Sequence, residues 1–145
     1  MRSPFIAFAV LSGITFSASA AAYELRPGNW QFQEGLGVSD RNAGQSSRTF
    51  CVKADETEAD IDWFTNLAKP RNDCTTRVLS QSSAQIRLEF SCPMSGTTLK
   101  GPSTIQINEN TITIQNDLAL DLPYAPLPMG QTKTVRHISS RCTGY

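Results

Sequence analysis

Four cysteines, Cys51, Cys74, Cys92 and Cys142, are the residues of this chain with the most defined chemistry. Thiolates can hold zinc, exchange electrons or pair, and spacing separates these outcomes. Structural zinc sites draw on cysteines about two to four residues apart, and no two here are that close. A redox-active dithiol needs Cys-x-x-Cys, which is absent. An even number of well-separated cysteines therefore predicts two disulfides and no metal site.

The remaining chemistry is sparse. His137 is the single histidine. A hydrolase would have to bring it together with Asp117 or Asp121 and a serine, and no spacing indicates that the three meet. No Gly-x-Ser-x-Gly elbow, His-Glu-x-x-His helix, phosphate loop or dinucleotide fingerprint occurs. The acids Asp55, Glu56, Glu58, Asp60 and Asp62 lack the alternating ligands and central glycine of a calcium loop. They suit the first turns of a helix, where the backbone dipole favours negative charge. The sequence thus assigns no catalytic residue and no cofactor.

The elements that would position these residues read mostly as strands. Trp30 and Phe32 alternate with glutamines, and Phe50 and Val52 flank Cys51. Ile86, Leu88, Phe90 and Cys92 alternate strictly with polar residues, the mark of a half-buried strand. Ile105 and Ile107 lead through Asn108-Glu109-Asn110 into Ile112 and Ile114, which predicts a hairpin whose second arm continues to Leu118, Leu120 and Leu122. A last strand is expected over Thr132–Cys142. One helix is expected between Cys51 and Cys74, capped by Asp55 with Glu58 three residues on, apolar along Ile61, Trp63, Phe64 and Leu67, and ended by Lys69-Pro70. Pro123, Pro126, Pro128 and Gly130 mark a proline-rich loop with Leu127 and Met129 near its tip. The expected fold is mainly β with one helix, an antiparallel curved sheet or half-barrel.

That framework favours one cysteine pairing. If the hairpin between Cys74 and Cys92 turns near Ser83, the two lie opposite each other at its open end, within disulfide reach. Cys51 and Cys142 then tie the ends of the sheet. A helix that folds back would instead pair Cys51 with Cys74 and leave Cys92 for Cys142.

Compartment and charge bound the partners. Arg2 precedes an apolar run from Phe5 to Phe16 and then Ser17-Ala18-Ser19-Ala20-Ala21-Ala22, the layout of a cleavable signal peptide over residues 1–22. Residues 23–145 are then one β-rich domain, periplasmic or secreted, with no membrane span in the mature form. The chain carries 13 basic and 13 acidic residues, so loss of Arg2 leaves 12 against 13 and a net charge of −1. Without a basic cluster, nucleic acid is excluded as a partner.

Arg26-Pro27-Gly28-Asn29-Trp30, Phe50-Cys51-Val52 before an acidic helix, then Cys74, Cys92, a Met/Pro-containing loop and an arginine-containing strand closing on Cys142 together resemble domain-of-unknown-function family 3617. The resemblance spans essentially the whole segment after the leader. It implies a small exported bacterial protein and supplies no catalytic role.

Two functional classes follow. In the first, the domain binds a small apolar ligand in a cavity lined by Trp30, Phe90 and Ile107. In the second, it is an interaction module that docks on an envelope protein through the proline-rich loop. An enzyme is the third and weakest reading. Protein recovered from an envelope fraction is expected to start within a residue or so of Ala20–Ala22, as read by N-terminal sequencing; chains still beginning at Met1 would contradict the leader assignment.

Overall fold

The computed structural model describes residues 23–36 and 46–143; the leader assigned to residues 1–22 lies outside them. The described chain runs β1 (Tyr23–Glu24), β2 (Gly28–Leu36), β3 (Ser46–Val52), β4 (Glu58–Ala59), α1 (Ile61–Ala68), β5 (Thr75–Gln81), β6 (Gln85–Met94), β7 (Thr97–Ile107), β8 (Thr111–Leu120) and β9 (Leu127–Ser139). Seven strands form one antiparallel sheet in the order β3-β2-β9-β8-β7-β6-β5, and β1 pairs with β4 as a separate ribbon. Strands β5 to β9 form a meander, and the β2–β3 hairpin joins it where β2 pairs with β9. The sheet is open, with β3 and β5 at its edges.

Period-two alternation gives the sheet an inner, apolar face. Ile86, Leu88 and Phe90 on β6, Ile105 on β7, Ile112 and Ile114 on β8, Val135 on β9 and Trp30 and Phe32 on β2 are all buried. Helix α1 lies over this face through Phe64 and Ala68, both fully buried. Tyr23 meets Phe64 edge to face at 4.8 Å, so the β1–β4 ribbon is fastened to the same core.

Both cysteine pairs are at bonding positions. Cys74 lies opposite Cys92 at the open end of the β5–β6 hairpin with Cα atoms 4.1 Å apart. Cys51 on β3 meets Cys142 beyond β9 at 5.5 Å. The hairpin turn is centred between Ser83 and Ala84, since Gln81 pairs with Ile86; a bulge between Val78 and Ser80 then shifts the register back by one so that Thr75 faces Ser91.

Two elements differ from the sequence reading. The helix is capped by Asp60, whose carboxylate accepts the Trp63 N–H at 2.8 Å, and not by Asp55. Glu58, expected to complete a capping box, stands in β4 opposite Glu24. Capping needs a short side-chain acceptor directly before the first helical residue; Glu58 is in the ribbon and Asp55 lies in a turn before it. The second difference is the proline-rich loop, which is shorter than Pro123–Gly130. Leu127–Gly130 belongs to β9, with Leu118 paired to Met129 and Ala119 to Pro128. In the described residues β2 accompanies β9 only as far as the Leu36–Gln131 pair. Among the described residues Pro128 therefore has a strand neighbour on one side, β8, the place in a sheet that tolerates proline.

Two glycines mark close approaches of backbone. Gly28 has φ +127°, and a Cβ there would overlap the Ser139 carbonyl oxygen; Gly101 has φ +156°, and a Cβ would overlap the Asp117 carbonyl oxygen. Each change to alanine should therefore combine backbone strain with a clash and cost at least ~1–3 kcal/mol. Gly35, whose nearest neighbour would be 3.9 Å away, should tolerate alanine with little loss. Urea midpoints of the three variants check this, and equal midpoints for Gly28→Ala and Gly35→Ala would contradict it.

Candidate functional site

The residues singled out for chemistry are mostly engaged in holding the fold. His137 Nε2 lies 3.0 Å from the Pro27 carbonyl oxygen, and its ring stands edge-on to Trp30 at 5.3 Å. Trp30 Nε1 donates to the Arg26 carbonyl at 2.9 Å, Asn29 Nδ2 donates to Thr143 Oγ1 at 2.9 Å, and Arg26 donates to Asn110. The segment Arg26–Trp30 is thereby a clamp between the start of β2 and the end of β9. His137 adjoins Arg136, which pairs with Thr111 at one end of β8, whereas Asp117 pairs with Gly130 towards the other. Six residues of strand separate these positions, about 20 Å. The structure therefore does not bring His137 and Asp117 together. Asp121 lies beyond the end of β8, further still from His137. Among the described residues no group of three or more His, Cys, Asp or Glu could hold a metal ion, and no helix is long and apolar enough to cross a membrane.

Of the three residues expected to line a cavity, two are in the core and one is at an open hollow. Trp30 is 1% exposed and Phe90 fully buried, so both are surrounded by core side chains. Ile107 is half-buried and borders a shallow hollow with Tyr23, Ser83 and Asn108.

A polar network crosses the inner face where the helix ends. Lys133 is 4% exposed, and its Nζ donates to the carbonyls of Leu67, Ala68 and Lys69 at 3.2, 3.3 and 3.1 Å. These carbonyls are left open at a helix C-terminus, where the dipole also favours a cation. Ser103 Oγ donates to Asn116 Oδ1 at 2.5 Å, Asn116 Nδ2 donates to Ala68 O at 2.9 Å and to Gln131 Oε1 at 3.1 Å, and Gln131 donates to Glu34. No buried side-chain polar atom is left without a partner among the described residues. Burial pushes the Lys133 amine below its ordinary 10.5; Glu34 opposes that shift and Arg48 adds to it. Alternation in the sequence could not reveal this network, because Lys133 and Asn116 occupy inward positions that the pattern reserves for apolar residues.

Beyond the helix C-terminus no described element covers the inner face, and there it forms an apolar groove of about 480 Å³. Leu118 on β8 and Leu99 on β7 lie in it, Met94 and Met129 border it, and Pro70-Arg71 forms its wall on the helix side. Arg71 is held in place by Asp73 at 3.2 Å and by a contact of its Nη1 with Met94 Sδ at 2.8 Å. The groove can take up apolar surface, and none of the described residues that line it is a nucleophile or a base.

The family model "Protein of unknown function (DUF3617)" matches residues 25–142, and the chain belongs to that family. No curated protein and no solved structure matches it. Two disulfides fit a compartment outside the reducing cytoplasm.

The network makes a prediction about stability. Lys133→Ala removes the donors from three helix-end carbonyls and should cost about 2–3 kcal/mol, as the carbonyls lose their partners in a buried setting. The pH dependence has a definite sign. Because the folded-state pKa lies below the unfolded one, the unfolded chain binds more protons between the two values, and stability from this group rises with pH up to the ordinary 10.5. Denaturant titrations of wild type and Lys133→Met at pH 7 and about pH 10 should show the difference moving in favour of the wild type; movement the other way would contradict the burial effect.

Proposed function

We propose that this member of the DUF3617 family is an exported, non-enzymatic binding domain of the cell envelope that takes a small apolar or amphipathic molecule in the groove beyond the helix. The observation that carries the reading is the contrast between a filled interior, where Trp30 and Phe90 are buried, and an open apolar groove of about 480 Å³. Small-molecule sites measure about 300–1,000 Å³ and are lined mainly by apolar side chains with few polar ones. Met94 and Met129 suit a site that adapts to its occupant, since an unbranched thioether fills irregular gaps. Disulfides and the leader-like N-terminus support the exported location, periplasmic or secreted.

A second reading rests on a specific feature of the same surface. Tyr124 is 102% exposed, and Leu122 and Leu127 beside it are also exposed, as in a segment that docks on an envelope protein.

The neutral dye N-phenyl-1-naphthylamine is the probe of choice for the groove. It is expected to bind the wild type and to bind Met129→Asp about tenfold or more weakly, because the carboxylate would have to be desolvated against the dye. Met129 is 40% exposed, so this variant should keep its urea midpoint. No binding by the wild type, or equal binding by both, rejects the small-ligand reading. Retained dye binding in Tyr124→Ala, together with a lost envelope-protein contact, would favour the second one.

A further inference from the structure

Helix α1 leaves a separate hollow on its other flank, between itself and the edge strand β3. This hollow has two compartments that meet at Arg48, Asn66 and Leu67. One, of about 290 Å³, is polar and reaches Ser47, Lys69, Glu34 and Lys133. The other, of about 410 Å³, is bounded by Phe50 and Trp63, whose ring centroids are 6.4 Å apart at an interplanar angle of 58°. A charged end and an aromatic end thus stand side by side within the length of one small molecule.

Among the described residues the charges at the polar end are not balanced: Arg48, Lys69 and Lys133 face a single carboxylate, Glu34. Lys133 spends its donors on the helix carbonyls, and Glu34 is the charge that favours its protonated form. Arg48 and Lys69 belong to none of the three ion pairs among the described residues. The Arg48 guanidinium lies over the Phe32 ring at 4.6 Å from the centroid. Stacking of that kind fixes the guanidinium plane and leaves its N–H edge free for a planar or tetrahedral oxyanion.

We propose that this cleft binds a small organic monoanion with a flat apolar body, its carboxylate or sulfonate on Arg48 and Lys69 and its ring system against Phe50 and Trp63. The site does not depend on the groove beyond the helix, with which it shares Pro70 alone. Affinity comes from ring burial, and selection for the anion comes from two cations at the edge of a low-dielectric cleft.

The chain has two tryptophans, and Trp63 is the one that borders the cleft. The probe is 8-anilinonaphthalene-1-sulfonate, compared with N-phenyl-1-naphthylamine, which has the same rings without the sulfonate. The sulfonate dye should quench Trp63 by energy transfer, and added salt should weaken its binding. Arg48→Gln should weaken it about tenfold or more and Lys69→Gln less, while Met129→Asp leaves it unchanged. Arg48 is exposed, and the Lys69→Gln variant provides an independent reading should Arg48→Gln fail to fold. Wild-type affinity in both cation variants would overturn the proposal. So would loss of the sulfonate dye in Met129→Asp alone, which would place that dye in the apolar groove. Failure of the neutral dye to bind bears on the groove and leaves this cleft standing.

Discussion

The open carbonyls at the end of an eight-residue helix have to be satisfied inside the protein, and the fold is arranged around that requirement. A helix of two turns is too short to be stable alone. It persists here because Phe64 and Ala68 are buried against the sheet. That docking carries the last carbonyls away from water, where each would cost about 1–3 kcal/mol unpaired. Lys133 answers three of them and Asn116 adds a bond to Ala68. A buried ammonium is expensive by itself. The helix dipole, three acceptors and Glu34 together make it tolerable, and the residual cost is visible as a lowered pKa.

The same arrangement determines where the surface is open. One short helix cannot cover the inner face of a seven-stranded sheet. It covers the middle, and the β1–β4 ribbon fastened to it closes the side near Tyr23 and Phe64. Among the described residues both flanks of the helix stay open, one apolar over Leu99 and Leu118 and one polar towards Arg48 and Glu34. The network of Ser103, Asn116, Gln131 and Glu34 runs between them. The two hollows therefore differ in chemistry because a satisfied polar wall stands between them.

Much of this scaffold was legible in the sequence, for a physical reason: strands that bury one face must alternate. Ile86, Leu88 and Phe90 were assigned inward and are inward, and the mainly β, single-helix, open antiparallel architecture follows from such runs. What stayed illegible depends on contacts distant in sequence. Asp60 was passed over as the cap because nothing local shows that Glu58 and Ala59 pair with Glu24 and Tyr23. Pro128 reads as a ladder breaker because the sequence does not say that it pairs with Ala119 on β8. Nothing in the sequence marks Lys133 and Asn116 as buried, since a lysine inside a sheet makes sense only once three carbonyls are known to meet it. The hollows were illegible for the same reason, since alternation says which face is inward and not how much of it the helix covers.

The pieces that carry the family resemblance can now be sorted by what they do in three dimensions. Arg26–Trp30 is a clamp whose side chains bind backbone and whose Gly28 lets two chain segments touch. The four cysteines tie β3 to the tail and close a hairpin. These features preserve a scaffold and would do so whatever the domain binds, so they make family membership a statement about the fold. The Met/Pro-containing segment is different. Pro128 and Met129 stand in β9 with exposed side chains along the groove. Under the proposed binding function these two residues tie the family pattern to the groove.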